Sequence, residues 1–145
     1  MVSDPSAKII SIDLPGGPFG GGYPCWKIPL YKSFAKDRQK IYLIRKDSHD
    51  LKTLEKVKEI LKGEMLDFLF IDRDHSYEGV KKDFEMYSSI VRRGGIIAFH
   101  DIVPHPPDTG CEVSSLWNEI KHRYKHVEIV EDWKQNWAGI GVIYV

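Results

Sequence analysis

Acidic residues recur where short apolar runs of this chain end. Asp13 follows Ile9–Ile12, Asp47 lies just beyond Ile41–Ile44, Asp72 follows Leu66–Ile71, and His100-Asp101 follow Ile96–Phe99. An aspartate after a strand is, taken singly, an ordinary turn or helix-cap residue. Four in succession, with histidines close to two of them, point instead to a cleft, because ligands of open parallel sheets bind outside the carboxyl ends of the strands. A carboxylate such as Asp13 can accept both hydroxyls of a ribose. Asp47 with Ser48 can receive an exocyclic amine and offer a backbone donor to an adenine edge. Asp72 and Asp101 can share a hard divalent cation, which prefers oxygen ligands. His75, three residues past Asp72, has a side chain that titrates near neutral pH and suits a general base. A helix-start histidine bonded to a nearby carboxylate is the competing reading for His75. His49 and His100 read as polar structural partners, and His105, His122 and His126 as loop or surface residues.

The run Gly16-Gly17-Pro18-Phe19-Gly20-Gly21-Gly22 is not a phosphate loop. It lacks the dinucleotide glycine spacing and a Gly-Lys-Ser/Thr ending, and Tyr23-Pro24 follows where a helix should start. Gly16–Pro29 is expected to be an irregular loop closing over the cleft. Trp26, Trp133 and Trp137 can pack under that loop or line a substrate, but core or edge packing is the expectation for each.

The elements that must position these residues alternate. Leu51, Leu54, Val57 and Leu61 mark one face of a helix over Asp50–Leu61, with Gly63 just past its end. Tyr77, Val80, Phe84, Tyr87 and Val91 predict a second helix, Tyr77–Val91, stopped by Gly94-Gly95. A third spans roughly Glu112–Tyr124, with Thr109 and Glu112 at capping-box spacing. Two closing runs, His126–Val130 and Gly139–Val145, have no helix between them and suit an antiparallel edge pair. Alternation of strand and helix, with nearly continuous apolar strands, predicts a parallel sheet covered on both faces. The expected class is α/β, in one domain over residues 1–145.

Composition narrows the function classes. The 145 residues hold 42% hydrophobic side chains, enough for a core, and 21 basic against 21 acidic residues give zero formal net charge. That argues against a broad electrostatic grip on nucleic acid or an anionic membrane. No apolar run approaches the roughly 20 residues of a membrane span, and the first residues lack a signal pattern, so a soluble cytoplasmic protein is expected. Cys25 and Cys111 are not in a Cys-x-x-Cys pair and indicate neither a disulfide framework nor a thiolate zinc site.

Ordered along the chain, Ile9–Asp13 with Leu14-Pro15-Gly16-Gly17, Arg45-Lys46-Asp47-Ser48-His49-Asp50, Phe70-Ile71-Asp72-Arg73-Asp74-His75-Ser76-Tyr77-Glu78-Gly79-Val80 and Gly94-Gly95-Ile96-Ile97-Ala98-Phe99-His100-Asp101 form a series. It resembles class I S-adenosylmethionine-dependent methyltransferases, in the metal-dependent O-methyltransferase branch with cephalosporin hydroxylase-like and macrolide-sugar methyltransferase-like proteins. The resemblance covers Ile9 to Val145 and implies a Rossmann-like sheet, mostly parallel with an antiparallel C-terminal edge. It implies that Asp13 holds the cofactor ribose, that Asp47 and Ser48 flank the adenine, and that Asp72 contributes to the cofactor site. Asp72 and Asp101 match magnesium-binding carboxylates, with His100 where some relatives have another acid, and His75 matches the histidine that deprotonates the acceptor hydroxyl. The implied reaction moves a methyl group from a sulfonium to a small-molecule oxygen.

Two features depart from the family pattern. The first strand and its glycine-rich turn are not seen, so the chain reads as N-terminally truncated. In the family that strand lies centrally, between those ending here at Asp13 and Asp72, and its loss leaves a gap or makes these two pair directly. Arg73 stands where glycine is common and can pair with Asp72 in place of a metal. Two other functions fit the residues: a non-catalytic remnant that assembles through an exposed sheet edge, for instance as a homodimer, and a metal-assisted hydrolase using Asp72, His75 and Asp101.

Overall fold

A computed structural model describes residues 4–16, 22–72 and 74–145. The chain divides into two compact units, Met1–Ile60 and Leu61–Val145.

The first unit pairs β1 (Lys8–Ile12) in parallel with β2 (Lys40–Ile44), Ile12 level with Ile44. Both strands are rich in β-branched residues, which suit a pleated surface. The Asp13 amide extends the ladder by donating to the Ile44 carbonyl at 2.9 Å. Between them lie a 3-10 turn, Cys25–Lys27, and the single-turn helix α1 (Ile28–Lys32), which correct the loop expected over Gly16–Pro29. Five residues carry no readable helical period, and Pro29 masks the element because proline also starts helices. Gly17–Gly21 of that loop lie outside the described residues. α2 (Leu51–Leu61) begins where the Asp50 carboxylate accepts from the Lys52 amide at 2.9 Å. Val57 and Leu61 of its apolar face are buried, whereas Leu51 at its first turn is exposed.

The second unit is a four-stranded sheet, ordered β3-β4-β6-β5, built from β3 (Leu66–Ile71), β4 (Val91–His100), β5 (Lys125–Ile129) and β6 (Ile140–Tyr144). β3 and β4 are parallel with Ile71 level with Phe99, and β6 runs antiparallel to both β4 and β5. The closing antiparallel pair is as expected. Among the described residues the ladder of β1 runs to β2 and that of β3 to β4, so the strands ending at Asp13 and Asp72 do not pair.

α3 (Tyr77–Ser88) ends before Val91, and Gly94-Gly95 lie inside β4 rather than terminating a helix. The strand absorbs them as an irregularity: register jumps from Leu66↔Val91 to Phe68↔Ile96, with Gly94 at φ +75. Ser76 caps α3 by accepting from the Gly79 amide at 3.1 Å, and Asp74 braces that cap by accepting from the Ser76 hydroxyl at 2.7 Å. α4 (Val113–Ile120) continues into a 3-10 turn. The expected Thr109–Glu112 capping box does not form. Thr109 Oγ1 binds inside its own turn, to the Pro106 carbonyl and the Cys111 amide, and the Glu112 carboxylate accepts from the Tyr77 amide instead.

The core of this unit gathers Ile97, Phe99, Val113, Leu116, Trp117, Ile120 and Ile143. Phe68 and Phe70 of β3 are exposed and stacked on each other, so this strand is not covered on both faces. Trp26, Trp133 and Trp137 are exposed as well, against the expectation of core or edge packing.

Candidate functional site

Parallel pairing fixes where the acidic tips emerge. With Ile71 opposite Phe99, Asp72 leaves β3 level with His100 at the end of β4, and Asp101 follows in the left-handed conformation at φ 62. Such a conformation is costly for a non-glycine residue and is tolerated by Asp and Asn better than by most others. It turns the Asp101 carboxylate into a nearly solvent-free position, 6% exposed.

Three imidazoles surround that carboxylate. His100 Nδ1 lies 3.1 Å from Asp72 Oδ1 and 3.2 Å from Asp101 Oδ2. The nitrogen is buried yet aligned with neither oxygen for a hydrogen bond. His75 Nδ1 is 3.4 Å from Asp101 Oδ2, and its Nε2 is 3.7 Å from Asp72 Oδ1. His105 Nε2 approaches the other oxygen, Asp101 Oδ1, at 3.5 Å. His105 is therefore part of the site rather than a surface residue. Its Asp-x-x-x-His spacing from Asp101 is the sequence signal that could have found it.

The His75 pKa is raised: the interaction with Asp72 is the main cause, burial opposes it, and the Asp101 charge adds to it. At 3.7 Å the Asp72 attraction is largely that of an ion pair. A raised histidine pKa contributes stability that is complete below the unfolded-state value and is lost as pH rises through the folded-state value. In metal-free protein, the His75 ring signals should titrate above the midpoint of a free histidine by NMR, and Asp72→Asn should shift that midpoint down. A midpoint at or below that of a free histidine would contradict this arrangement.

The three atoms of Asp72, His100 and Asp101 can hold a divalent ion. Separations of 3.1 and 3.2 Å match neighbouring corners of an octahedron with bonds of about 2.1 Å. A buried ring nitrogen facing two carboxylate oxygens without a hydrogen bond is the donor geometry a cation requires, so the residues fit one. Arg73 lies outside the described residues.

In the first unit, Asp13 and Asp47 leave the same end of the β1–β2 pair. Asp47 Oδ1 accepts from the His49 amide at 2.9 Å, the turn-forming role open to any such aspartate, and the Ser48 side chain is buried. Asp13 raises the pKa of the buried Tyr23 hydroxyl, although burial is the larger cause. Arg45 lies over the Tyr23 ring at 5.8 Å and donates to Cys25 Sγ.

Comparison with known proteins decides the family. A methyltransferase domain family matches residues 8–102, more than half of the chain. The chain belongs to this methyltransferase family. Its fold is that of Rossmann-like methyltransferases. TomG, an O-methyltransferase from Streptomyces achromogenes solved with SAM, superposes with a TM-score of 0.59 at 15% identity, covering 97% of this chain and 74% of TomG. MycE, a methyltransferase of mycinamycin biosynthesis solved with Mg, SAH and mycinamycin VI, gives a TM-score of 0.54 at 17% identity over 95% of this chain. An uncharacterized protein of Acanthamoeba polyphaga mimivirus is 50% identical over 36 residues, a quarter of this chain. The chain spans 44% of MycE and 16% of the mimivirus protein, less than half of either. Among the described residues, no helix of this methyltransferase-family chain is long and apolar enough to cross a membrane.

Proposed function

We propose that this chain transfers a methyl group from S-adenosylmethionine to a hydroxyl of a small molecule, with a divalent cation, magnesium for instance, held by Asp72, His100 and Asp101. The observation that carries the reading is the buried His100 Nδ1 between two carboxylate oxygens at adjacent strand ends, with the His75 ring beside the same oxygens. The family match and the folds of TomG and MycE, each named a methyltransferase and solved with SAM or SAH, support it. The family match extends into both units, which supports reading residues 1–145 as one methyltransferase-like domain.

In this reading Asp13 accepts the ribose hydroxyls, Asp47 and the Ser48 backbone contact the adenine edge, and Asp72 borders the cofactor. His75 takes the proton from the acceptor hydroxyl while the oxygen gains the methyl group. The proton then rests on His75, where Asp72 and Asp101 stabilise the imidazolium. A cation, when bound, supplies the Lewis acidity that favours the ionised hydroxyl. Balanced charge favours a small-molecule acceptor over nucleic acid.

Calorimetric titration with S-adenosylhomocysteine tests the reading. Saturable heat is expected, weakened by Asp13→Asn. No heat at high ligand concentration would overturn it and leave a non-catalytic member of the fold.

A further inference from the structure

Cys111 takes no part in the chemistry above, yet its sulfur lies close to the same two side chains. One ligand atom each from His75, Asp101 and Cys111 falls within 4.8 Å of the others. The segment carrying the thiol is pinned there by backbone bonds. The Glu112 amide donates to the His75 carbonyl at 2.7 Å, the Glu112 carboxylate accepts from the Tyr77 amide at 3.1 Å, and the Cys111 amide donates to Thr109 Oγ1 at 3.2 Å. These bonds hold the Cys111 backbone beside His75 and leave the sulfur free to move toward an ion by side-chain rotation.

We infer that His75, Asp101 and Cys111 form a second, softer cation position, suited to zinc, which shares Asp101 with the Asp72–His100–Asp101 set. Zinc takes Cys, His and Asp ligands at about 2.0–2.3 Å in a tetrahedron, whose edges are then roughly 3.5 Å. The 3.4 Å from His75 Nδ1 to Asp101 Oδ2 is already such an edge. A modest approach of the half-buried sulfur closes the triangle and leaves a fourth position open.

His105 points the same way. Its Nδ1 is 2.8 Å from the Val103 carbonyl, which can only accept, so Nδ1 carries the hydrogen. Its Nε2 lies 3.5 Å from Asp101 Oδ1, the oxygen opposite the one that the His75 and His100 nitrogens approach. Asp101 thus draws an imidazole nitrogen to each of its oxygens. Imidazole and thiolate donors favour zinc over magnesium, which prefers oxygen.

Burial pushes the Cys111 thiol pKa up, so the metal-free residue is a thiol. On binding, the S–H bond breaks, a zinc–sulfur bond forms and the proton goes to solvent. Sequence spacing does not reveal the site, because a single cysteine has no Cys-x-x-Cys partner and its co-ligands come from positions 75 and 101.

A consequence rests on the proposed function: zinc on His75 removes the base, so zinc should inhibit methyl transfer and Cys111→Ser should relieve the inhibition. The binding claim stands apart from that activity. Cobalt(II) added to the full chain should give a thiolate-to-metal charge-transfer band in the near ultraviolet. The band should persist in Cys25→Ser and His100→Gln and vanish in Cys111→Ser. Zinc affinity should fall about tenfold or more in Cys111→Ser. Magnesium affinity and the circular dichroism spectrum should stay at wild-type values, showing that the variant is folded. Absence of the band in the wild-type chain, or its survival in Cys111→Ser, would overturn the inference. If the band behaves as expected and no methyl transfer occurs, the proposed function fails and the cation position stands.

Discussion

Asp101→Asn should abolish most divalent-cation binding while leaving the fold intact. Loss of an outer partner of a metal ligand costs about 10–100-fold in affinity, and loss of a ligand oxygen belongs at the upper end, on the order of 100-fold. The proposed methyl transfer should fall by a similar factor in kcat/KM at subsaturating magnesium. Asparagine is the right probe because residue 101 sits at φ 62. Asn tolerates the left-handed region, whereas Ala there adds roughly 1 kcal/mol of backbone strain or more. The Asn variant also removes the charge that faces His75, His100 and His105 together. The His75 midpoint should therefore drop along with metal affinity. Manganese or magnesium titration by calorimetry reads the affinity, and thermal unfolding confirms the fold. Unchanged affinity in a folded Asn variant would show that Asp101 does not ligate.

The strand ends were legible in the sequence because aspartates followed β-branched runs, and parallel pairing carries such residues to one end of a sheet. Asp72, His100 and Asp101 do meet in that way, and Asp13 and Asp47 leave the same end of their own strand pair. Other features depend on backbone conformation that residue types do not announce. Gly94-Gly95 reads as a helix stop, but the preceding helix has already ended, and a bulged strand runs through the pair. Asp101 takes the left-handed conformation, and in the chain beyond it His105 comes to the second carboxylate oxygen while Cys111 comes close to Asp101 and His75. No helical or strand period links residues 75, 101, 105 and 111. Gly79 marks a similar hidden requirement: a Cβ there would lie 2.0 Å from the Asp74 carboxyl carbon, so the cap that positions His75 and Ser76 needs a bare Cα.

Trp117→Ala should cause the largest loss of stability. The side chain is 1% exposed and packs on Phe99 with ring centres 5.8 Å apart and on His126 at 6.0 Å. Gly141 of β6 lies flat beneath it, since a Cβ at that position would come within 2.8 Å of the indole. Removing the ring leaves a cavity between α4 and the sheet and should cost about 3–5 kcal/mol, against a total stability of about 5–15 kcal/mol for a domain of ordinary size. Trp117 Nε1 also donates to Glu128 Oε1 at 2.7 Å, and the same oxygen accepts from Lys121 Nζ at 2.9 Å. Burial raises the Glu128 pKa, but these two donors outweigh it and hold the carboxyl below its usual value. A lowered carboxyl pKa contributes stability present above the unfolded-state value and lost as pH falls through the folded-state value. Trp117→Phe separates the two effects, because it keeps an aromatic ring in the core and deletes only the donor and part of the area. Its cost should be about 1–2 kcal/mol near neutral pH and should shrink in acid as Glu128 protonates. Urea unfolding at pH 7 and at a series of pH values below 4 measures both variants. A Phe penalty independent of pH would show that the indole acts there by volume alone, whereas equal penalties for Phe and Ala would show that its volume contributes little beside its donor.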